Sequence, residues 1–340
     1  MRMITYIVKR SAYIIFTLFG LSVLVFVLAR VLPGDPVRIM LPPRTPPEVI
    51  EQVRKTLRLD KPLIEQYFYW LRDVFSGDLG YSLYTKRSVT YDVLQYLPAS
   101  LELIALAAIF EVVGAIALGV IAGRFPYKLP DNVVRIFSYV GISIPSFVWA
   151  IIFQLLFAWI WPIFPTTGNI DRDISPATVT GFITIDSLIT GRFDALANWF
   201  WHAILPALAL SLGGMAQDAR IIRSGMVENM DKDYITMATA QGLPERLIMF
   251  KYLFKPSIIP AVTVMGMDIA GMLGNAFPVE IVYRWPGLSK YGIEVMMNKD
   301  LNAIVAVVLV IGLIFAIMNL IADVIVAYID PRIRLMERGE

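Results

Sequence analysis

Residues 231–260, DKDYITMATAQGLPERLIMFKYLFKPSIIP, decide the fold prediction because they form a polar segment between two long apolar blocks. Asp231 or Asp233 can cap a first short helix, and Gly242 suits the left-handed position that ends such a helix. Pro244 then suits the first position of a second helix. The pattern predicts a rigid helix-turn-helix outside the bilayer.

The first of these two helices carries a narrow and mostly apolar face. Its members follow an i, i+3, i+4, i+7 spacing and are Tyr234, Met237, Ala238 and Gln241. The charge of Asp233 lies beside them. Such a face fits a groove on a partner protein. The alternative is a plain loop that lies on lipid or on the chain's own helices.

The composition is that of an integral membrane protein. The 340 residues are 57% hydrophobic and only 17% charged, with a mean hydropathy of +0.64. The 30 Lys and Arg nearly balance the 28 Asp and Glu, which gives no reason to propose nucleic acid as a partner. There is no cysteine and one histidine, His202, so disulfides and thiolate catalysis are excluded and no metal site is predicted.

Six apolar runs are long enough to span a bilayer. They cover, approximately, residues 11–29, 98–123, 136–161, 200–216, 256–279 and 301–329. A signal peptide is the alternative for the first run, but the following Leu32-Pro33-Gly34 lacks a small-x-small cleavage site. The expected organisation is an N-terminus and first span (1–31), an external helical subdomain (32–97), a five-helix core (98–329) that contains loop 223–255, and a tail (330–340).

Sequence features within the predicted spans suggest packing contacts and a pathway. Small residues recur every four positions at Ala115, Gly119 and Gly123, and again at Gly266, Ala270 and Gly274, which predicts close helix contacts. Pro145 should kink the third span. The candidate lining of a translocation path is Ser143, Gln154, Asp268 and Asn275. The alternative for these polar residues is hydrogen bonding between helices, or pairing of Asp268 with a partner permease.

Charge distribution predicts the topology. With both termini in the cytoplasm, the four cytoplasmic segments hold 15 Lys and Arg, and the two short outside loops hold 5. This arrangement places loop 223–255 in the cytoplasm.

The loop resembles the cytoplasmic EAA loop of permease subunits in binding-protein-dependent ABC importers. Counting back from Gly242, that pattern falls on Thr236, Met237 and Ala238, so this chain departs from the glutamate and from the first alanine. The resemblance to the dipeptide/oligopeptide/nickel branch extends over nearly the full length. It is carried by ARVLPGDPV, GDLGYSL, LPASLELIALA, GISIPSF, HAILPALAL, DYITMATAQGL, VEIVYRWPGL and NLIADVIVAYIDPRIR.

The resemblance implies an all-α, polytopic protein of the type I importer permease fold, with six transmembrane helices in the cell membrane. It also implies a homologous permease partner, two ATPase subunits that hold ATP and magnesium, and an external substrate-binding protein. This chain has no G-x-x-x-x-G-K-[ST] phosphate loop, so it is not expected to be an enzyme.

Two groups of residues receive roles from the resemblance. Contact with an ATPase is expected for Asp233, Tyr234, Thr236, Met237, Ala238, Gln241 and Gly242. An outer gate or contact with the binding protein is expected for Glu280, Arg284 and Trp285. Residues 169–198 match no motif of the branch.

Several alternatives stay open for the function. Di- or oligopeptides are the favoured cargo, and oligosaccharides or nickel could be carried by the same architecture. A secondary transporter would show an internal repeat, and none is evident in the sequence. An intramembrane metalloprotease needs H-E-x-x-H, which one histidine cannot supply. A serine enzyme would pair Ser211 with His202, but nine residues apart they face opposite sides of one helix.

Overall fold

The computed structural model describes residues 3–31, 45–56 and 58–329, and in these the secondary structure is helical. Tyr81 and Ser88 form an isolated antiparallel bridge, and no strand is present in the described ranges. The helices are α1 (Met3–Val31), α2 (Pro47–Thr56), α3 (Leu63–Phe75), α4 (Val89–Arg124), α5 (Leu129–Ser143), α6 (Ser146–Gln154, continued by the π-helical turn Leu155–Ile160), α7 (Ile183–Ile189), α8 (Phe193–Met230), α9 (Asp233–Ala240), α10 (Glu245–Leu247), the π-helical segment Ile248–Phe254, α11 (Lys255–Val282), α12 (Leu288–Met297) and α13 (Leu301–Ile329).

Five of the described helices are long and apolar enough to cross a membrane, and a sixth span exists if one bent pair is counted as a span. The five are Thr5–Leu28 within α1, α4, α8, the continuous helix Glu245–Val282, and α13. The bent pair is Leu129–Ser143 with Ser146–Ile160, whose axes differ by 106°. Ile144 has extended backbone ahead of Pro145, which cannot donate a helical hydrogen bond. The predicted kink is therefore a complete break.

The helices extend beyond the apolar runs that predicted them. Helix α4 begins at Val89 and α8 begins at Phe193, because residues 89–97 and 193–199 contain no glycine or proline. Pro98 lies inside α4, so the subdomain boundary predicted between residues 97 and 98 falls within one helix.

The described chain divides into two units. The first comprises residues 3–12, 98–290 and 314–329, and the second comprises residues 13–97 and 291–313 as far as they are described. Helix α8 is central to the first unit, where it contacts α5, α6, α7 and α11. Of its most apolar membrane-length window, 61% is buried, against at most 33% for the other four spanning helices.

The first predicted small-residue stripe packs α4 against α8. A Cβ atom on Gly119 would lie 2.7 Å from Ile222 Cβ, and one on Gly123 would lie 2.7 Å from Met226 Sδ. In the second stripe, Gly266 makes a close helix contact and Gly274 does not. Gly266 approaches Ala322 of α13, whereas no described atom lies within 4 Å of a Cβ placed on Gly274.

A buried ion pair joins the start of α5 to α8. Arg223 donates from Nε and Nη2 to the two carboxylate oxygens of Asp131, at 2.9 and 2.7 Å. Asp131 is fully buried and also accepts the backbone N–H of Tyr127, whose φ of +63° marks the tight turn before α5. Bidentate geometry of this kind offsets the cost of burying the two charges.

The second unit is held by aromatic and carboxylate contacts. Tyr67 of α3 packs edge-on against Phe26 of α1, with ring centroids 5.3 Å apart, and its hydroxyl lies 2.8 Å from Ser22 Oγ. The aromatic cluster at residues 67–70 thus serves local packing. Asp300 accepts from Ser82 Oγ at 2.6 Å and from the backbone N–H of Tyr84 at 3.1 Å.

Two features noted in the sequence lie outside the described residues. They are the LPGDPV sequence at 32–37 and the tail at 330–340.

Candidate coupling helix and translocation path

Helix α9 is short and has a well-defined end. Gly242 has φ +71°, and the N–H groups of Gly242 and Leu243 donate to Thr239 O and Ala238 O at 3.0 and 3.3 Å. These two bonds form a Schellman motif, so the predicted role of Gly242 is confirmed. The predicted aspartate cap is wrong, because Lys232 occupies the cap position and its side chain forms no capping bond.

One face of α9 packs on the chain itself and the other is exposed. Ile235 packs against the apolar cluster around Met226 and Met249, and Ala238 is only 4% exposed. Met237 is 63% exposed, and the other expected contact residues are also exposed, namely Asp233, Tyr234, Thr236, Gln241 and Gly242. Ala238 is therefore corrected from a partner contact to an anchor. The exposed side chains are those expected to meet an ATPase.

A chain of hydrogen bonds runs from α9 to the start of α11. Tyr234 Oη donates to Asn229 Oδ1 at 2.7 Å, and Asn229 Nδ2 donates to Ser257 Oγ at 3.0 Å. Ser257 in turn donates to Leu253 O at 2.7 Å. Gly225 allows the close approach, since a Cβ there would lie 3.0 Å from Ser257 O. A displacement of α9 would thus be transmitted to the end of α8 and the start of α11.

The predicted path residues of the third span make bonds to backbone carbonyls. Ser143, next to the break at Pro145, donates to Tyr139 O of its own helix at 2.7 Å. Gln154 donates from Nε2 to Thr166 O at 2.7 Å and to Val282 O at 3.1 Å. The Gln154 amide therefore fastens the segment after α6 to the end of α11.

The other two predicted path residues lie on α11. Asp268 is half-buried and Asn275 is exposed, so this face is only partly covered within the chain. Gln217 Nε2 lies 3.5 Å from Asp268 Oδ2. Residues 268 and 282 are fourteen positions apart, which separates the Asp268 region from the Gln154 contact by roughly 21 Å of helix. Gln154 and Asp268 thus lie in separate places.

Two of the three residues expected in an outer contact are enclosed by the chain. Glu280 is fully buried and accepts from Ser100 Oγ at 2.5 Å and from the backbone N–H of Ser289 at 3.0 Å. Trp285 is also fully buried and donates from Nε1 to Ala99 O at 2.9 Å. Their expected contact with a binding protein is corrected to a structural role, and only Arg284 is exposed.

Some residues at these sites carried no visible signal in the sequence. Glu111 on α4 and Asp218 on α8 meet Asp268, and their carboxylate oxygens lie within 4.8 Å of one another. They are 50 or more residues apart in sequence, so only tertiary packing shows the cluster. Asn229 and Ser257 were likewise missed, although Asn229 lies only five residues before Tyr234.

Comparison with known proteins identifies the family. The family model described as "Binding-protein-dependent transport system inner membrane component" matches residues 115–335, and its N-terminal counterpart matches residues 3–104. The chain belongs to this family. It is therefore a multi-pass membrane subunit of a transporter, with the helical permease fold that its spans indicated.

Similar proteins cover nearly the whole permease. The probable D,D-dipeptide transport system permease protein DdpB of Escherichia coli K12 is 34% identical over 92% of this chain and 93% of its own length. The di/tripeptide transport system permease protein DppB of Pseudomonas aeruginosa is 33% identical over 98% of this chain and 99% of its own length. The dipeptide transport system permease protein DppB of Alkalihalophilus pseudofirmus is 31% identical over 98% of this chain and 100% of its own length.

Proposed function

We propose that this permease forms part of a translocation path for short peptides in an ATP-driven importer, and that α9 transmits ATPase movement to the membrane helices. The observation that carries the coupling role is the two-sided packing of α9. Ile235 and Ala238 attach it to the chain, while Tyr234 and Met237 are exposed. An exposed apolar face on an anchored helix fits a groove of a partner.

The proposed assembly contains a homologous permease, two ATPase subunits with ATP and magnesium, and a substrate-binding protein on the other side. Both termini and α9 are placed in the cytoplasm, as the excess of Lys and Arg in those segments favours. ATP hydrolysis is assigned to the partner subunits because this sequence has no phosphate loop. The transmitted motion would rock the helices between inward-open and outward-open states.

Short peptides are proposed as cargo because the similar permeases carry names of dipeptide and di/tripeptide systems. The cargo is tested by uptake in cells with and without this chain, using a labelled dipeptide, an oligosaccharide and nickel in parallel. Loss of dipeptide uptake alone on deletion is the expected result. Loss of nickel or oligosaccharide uptake with normal dipeptide uptake would overturn the peptide assignment.

The coupling role is tested with Met237→Glu, which puts a charge on the exposed face without altering the packed one. The tagged chain is solubilised from its native membrane, and the co-purifying ATPase subunits are quantified. The variant should reach the membrane normally but lose the ATPase subunits. Met297→Glu is the matched control, because Met297 is similarly exposed, at 79%, and lies in α12.

An unchanged yield of ATPase subunits with Met237→Glu would contradict docking on this face. Recovery of the wild-type chain alone, with flux in liposomes that needs no ATP, would favour a secondary transporter instead.

A further inference from the structure

Three acidic side chains from three membrane helices converge in the first unit. Glu111 comes from α4, Asp218 from α8 and Asp268 from α11. One carboxylate oxygen from each lies within 4.8 Å of the other two. Carboxylates of like charge repel at such distances, so this arrangement needs protons or a cation to neutralise it.

The two innermost carboxylates have unsatisfied oxygens. Asp218 is fully buried, and neither of its carboxylate oxygens has a hydrogen-bond partner among the described residues. Glu111 is 1% exposed, and its Oε1 also lacks a partner in the described part of the chain. Oxygens that are buried and unpaired cost several kcal/mol in a protein interior. Two such side chains pointing into one cluster indicate a ligand that pairs with them.

The close packing around Glu111 requires a glycine, and the balancing charge does not come from a basic side chain. A Cβ on Gly214 of α8 would lie 2.2 Å from Glu111 Oε2, so this carboxylate can reach α8 only beside a glycine. Across the described ranges, no lysine or arginine forms an ion pair with Glu111, Asp218 or Asp268. The half-buried Arg223, five residues after Asp218 on α8, is already paired with Asp131.

We propose that Glu111, Asp218 and Asp268 bind a hard divalent cation of the calcium class between α4, α8 and α11. Oxygen-only ligands are those that such cations prefer, at about 2.3–2.6 Å for calcium. Three oxygens within 4.8 Å of one another all lie within about 2.8 Å of a common point, so small side-chain adjustments let one ion contact all three. Asp268 is half-buried, which leaves room for water to complete the coordination.

A divalent ion accounts for the arrangement better than a single shared proton. A single shared proton leaves two of the three negative charges unbalanced, whereas a divalent ion takes one oxygen from each helix and leaves one. Such a site would hold three spanning helices together. It departs from the sequence expectation of no metal, which rested on the scarcity of cysteine and histidine, and it does not depend on the proposed cargo or coupling role.

Calcium binding to the full chain tests the site. The chain is purified in detergent with its co-purifying partners, depleted with EDTA, and dialysed against radiolabelled calcium chloride. Wild type should bind about one calcium ion per chain with high affinity and unfold at a higher temperature in calcium than in EDTA. Asp218→Asn should bind calcium at least about tenfold more weakly and lose the thermal shift.

Two further variants keep the test decisive. Asp268→Asn removes the half-buried ligand and should also lose calcium binding. This variant replaces Asp218→Asn in the test if Asp218→Asn fails to fold. Glu228→Gln removes an exposed carboxylate of α8 and should bind like wild type.

Two outcomes would overturn the proposed cation site. One is wild type that binds no more calcium than Asp218→Asn and shows no thermal shift. In the other, calcium does not change the unfolding temperature of wild type, which instead rises as the pH falls. In the same outcome, Asp218→Asn is more stable than wild type at neutral pH. That second pattern would assign a shared proton to the cluster.

Discussion

The hydroxyl of Tyr234 donates a 2.7 Å hydrogen bond to Oδ1 of Asn229, and so ties the exposed helix α9 to the end of α8. The other end of the same Asn229 amide donates to Ser257 at the start of α11. One side chain thereby joins three helices at the point where force from an ATPase is proposed to enter the membrane core. The amide connects these helices directly, with no intervening loop that could absorb the motion.

Replacing Asn229 with leucine should uncouple the ATPase from transport while the complex still assembles. The leucine side chain would fill a similar volume but break the bonds to Tyr234 and Ser257, each worth about 1 kcal/mol, and a third bond to Gly225 O within α8. Loss of the two bonds between helices, about 2 kcal/mol, changes an equilibrium roughly thirtyfold, so substrate-stimulated ATPase activity in the reconstituted complex should fall by between about fivefold and thirtyfold. Tyr234→Phe, which removes only one bond, should have a smaller effect. Full stimulation in Asn229→Leu would exclude this route of coupling.

Substitution by alanine should destabilise the protein at Gly119 but not at Gly274. Gly119→Ala places a Cβ 2.7 Å from Ile222 Cβ and 3.0 Å from Ala219 O, so α4 and α8 must separate. Overpacking of this kind costs about 1–3 kcal/mol and should lower the unfolding temperature measured in detergent. Gly274→Ala meets no described atom within 4 Å and should unfold like wild type. Equal unfolding temperatures for the two variants would contradict the packing of the first stripe.

Residue pattern alone predicted the class of the fold and the form of the exposed loop. Apolar runs gave the spans, Pro145 gave the break, and Gly242 gave the end of α9, because each depends on local sequence. Helix length was underestimated, since α4 and α8 begin ahead of the apolar runs, at Val89 and Phe193. The local pattern could not indicate that Pro145 bends the pair by 106°.

The site predictions failed where burial decides a residue's role. Ala238, Glu280 and Trp285 were expected to contact partner proteins, and each is buried within the chain. The sequence predicted only one member of the acidic cluster, Asp268. Its neighbours Glu111 and Asp218 lie on other helices, and the sequence alone does not show that they meet it. Side-chain spacing on one helix identifies a face, but it cannot identify what that face meets.

The buried ring of Trp285 should stabilise the segment after α11 through packing more than through its hydrogen bond. It packs edge-on against Trp199, with ring centroids 6.3 Å apart, and donates to Ala99 O. Trp285→Phe keeps most of the packing and should cost about 1 kcal/mol, whereas Trp285→Ala should cost about 3–5 kcal/mol. Thermal unfolding in detergent measures both variants, and Trp201→Phe, at a 45% exposed position, is the control. If Trp285→Ala unfolded like Trp201→Phe, the structural role assigned to Trp285 would be wrong.

Asp186 should make the segment between α6 and α8 sensitive to acid. Burial alone would raise the pKa of this carboxyl, but donors from Thr180, Val179 and Gly181 outweigh burial and hold the pKa below its usual range. A carboxylate whose pKa is depressed on folding adds stability above its unfolded pKa of about 3.9, and that stability is lost as the pH falls through the lower folded pKa.

Asp186→Asn should therefore lower the unfolding temperature at neutral pH and flatten its decline below about pH 4. The amide would turn a donor toward the N–H groups that now bind an acceptor, at a cost on the order of 1–3 kcal/mol. Unfolding followed by circular dichroism from neutral to acid pH measures the effect, and Asp173→Asn, at an exposed position of the same segment, is the matched control. Parallel pH profiles for wild type and Asp186→Asn would show that the ionised form of Asp186 does not hold this segment.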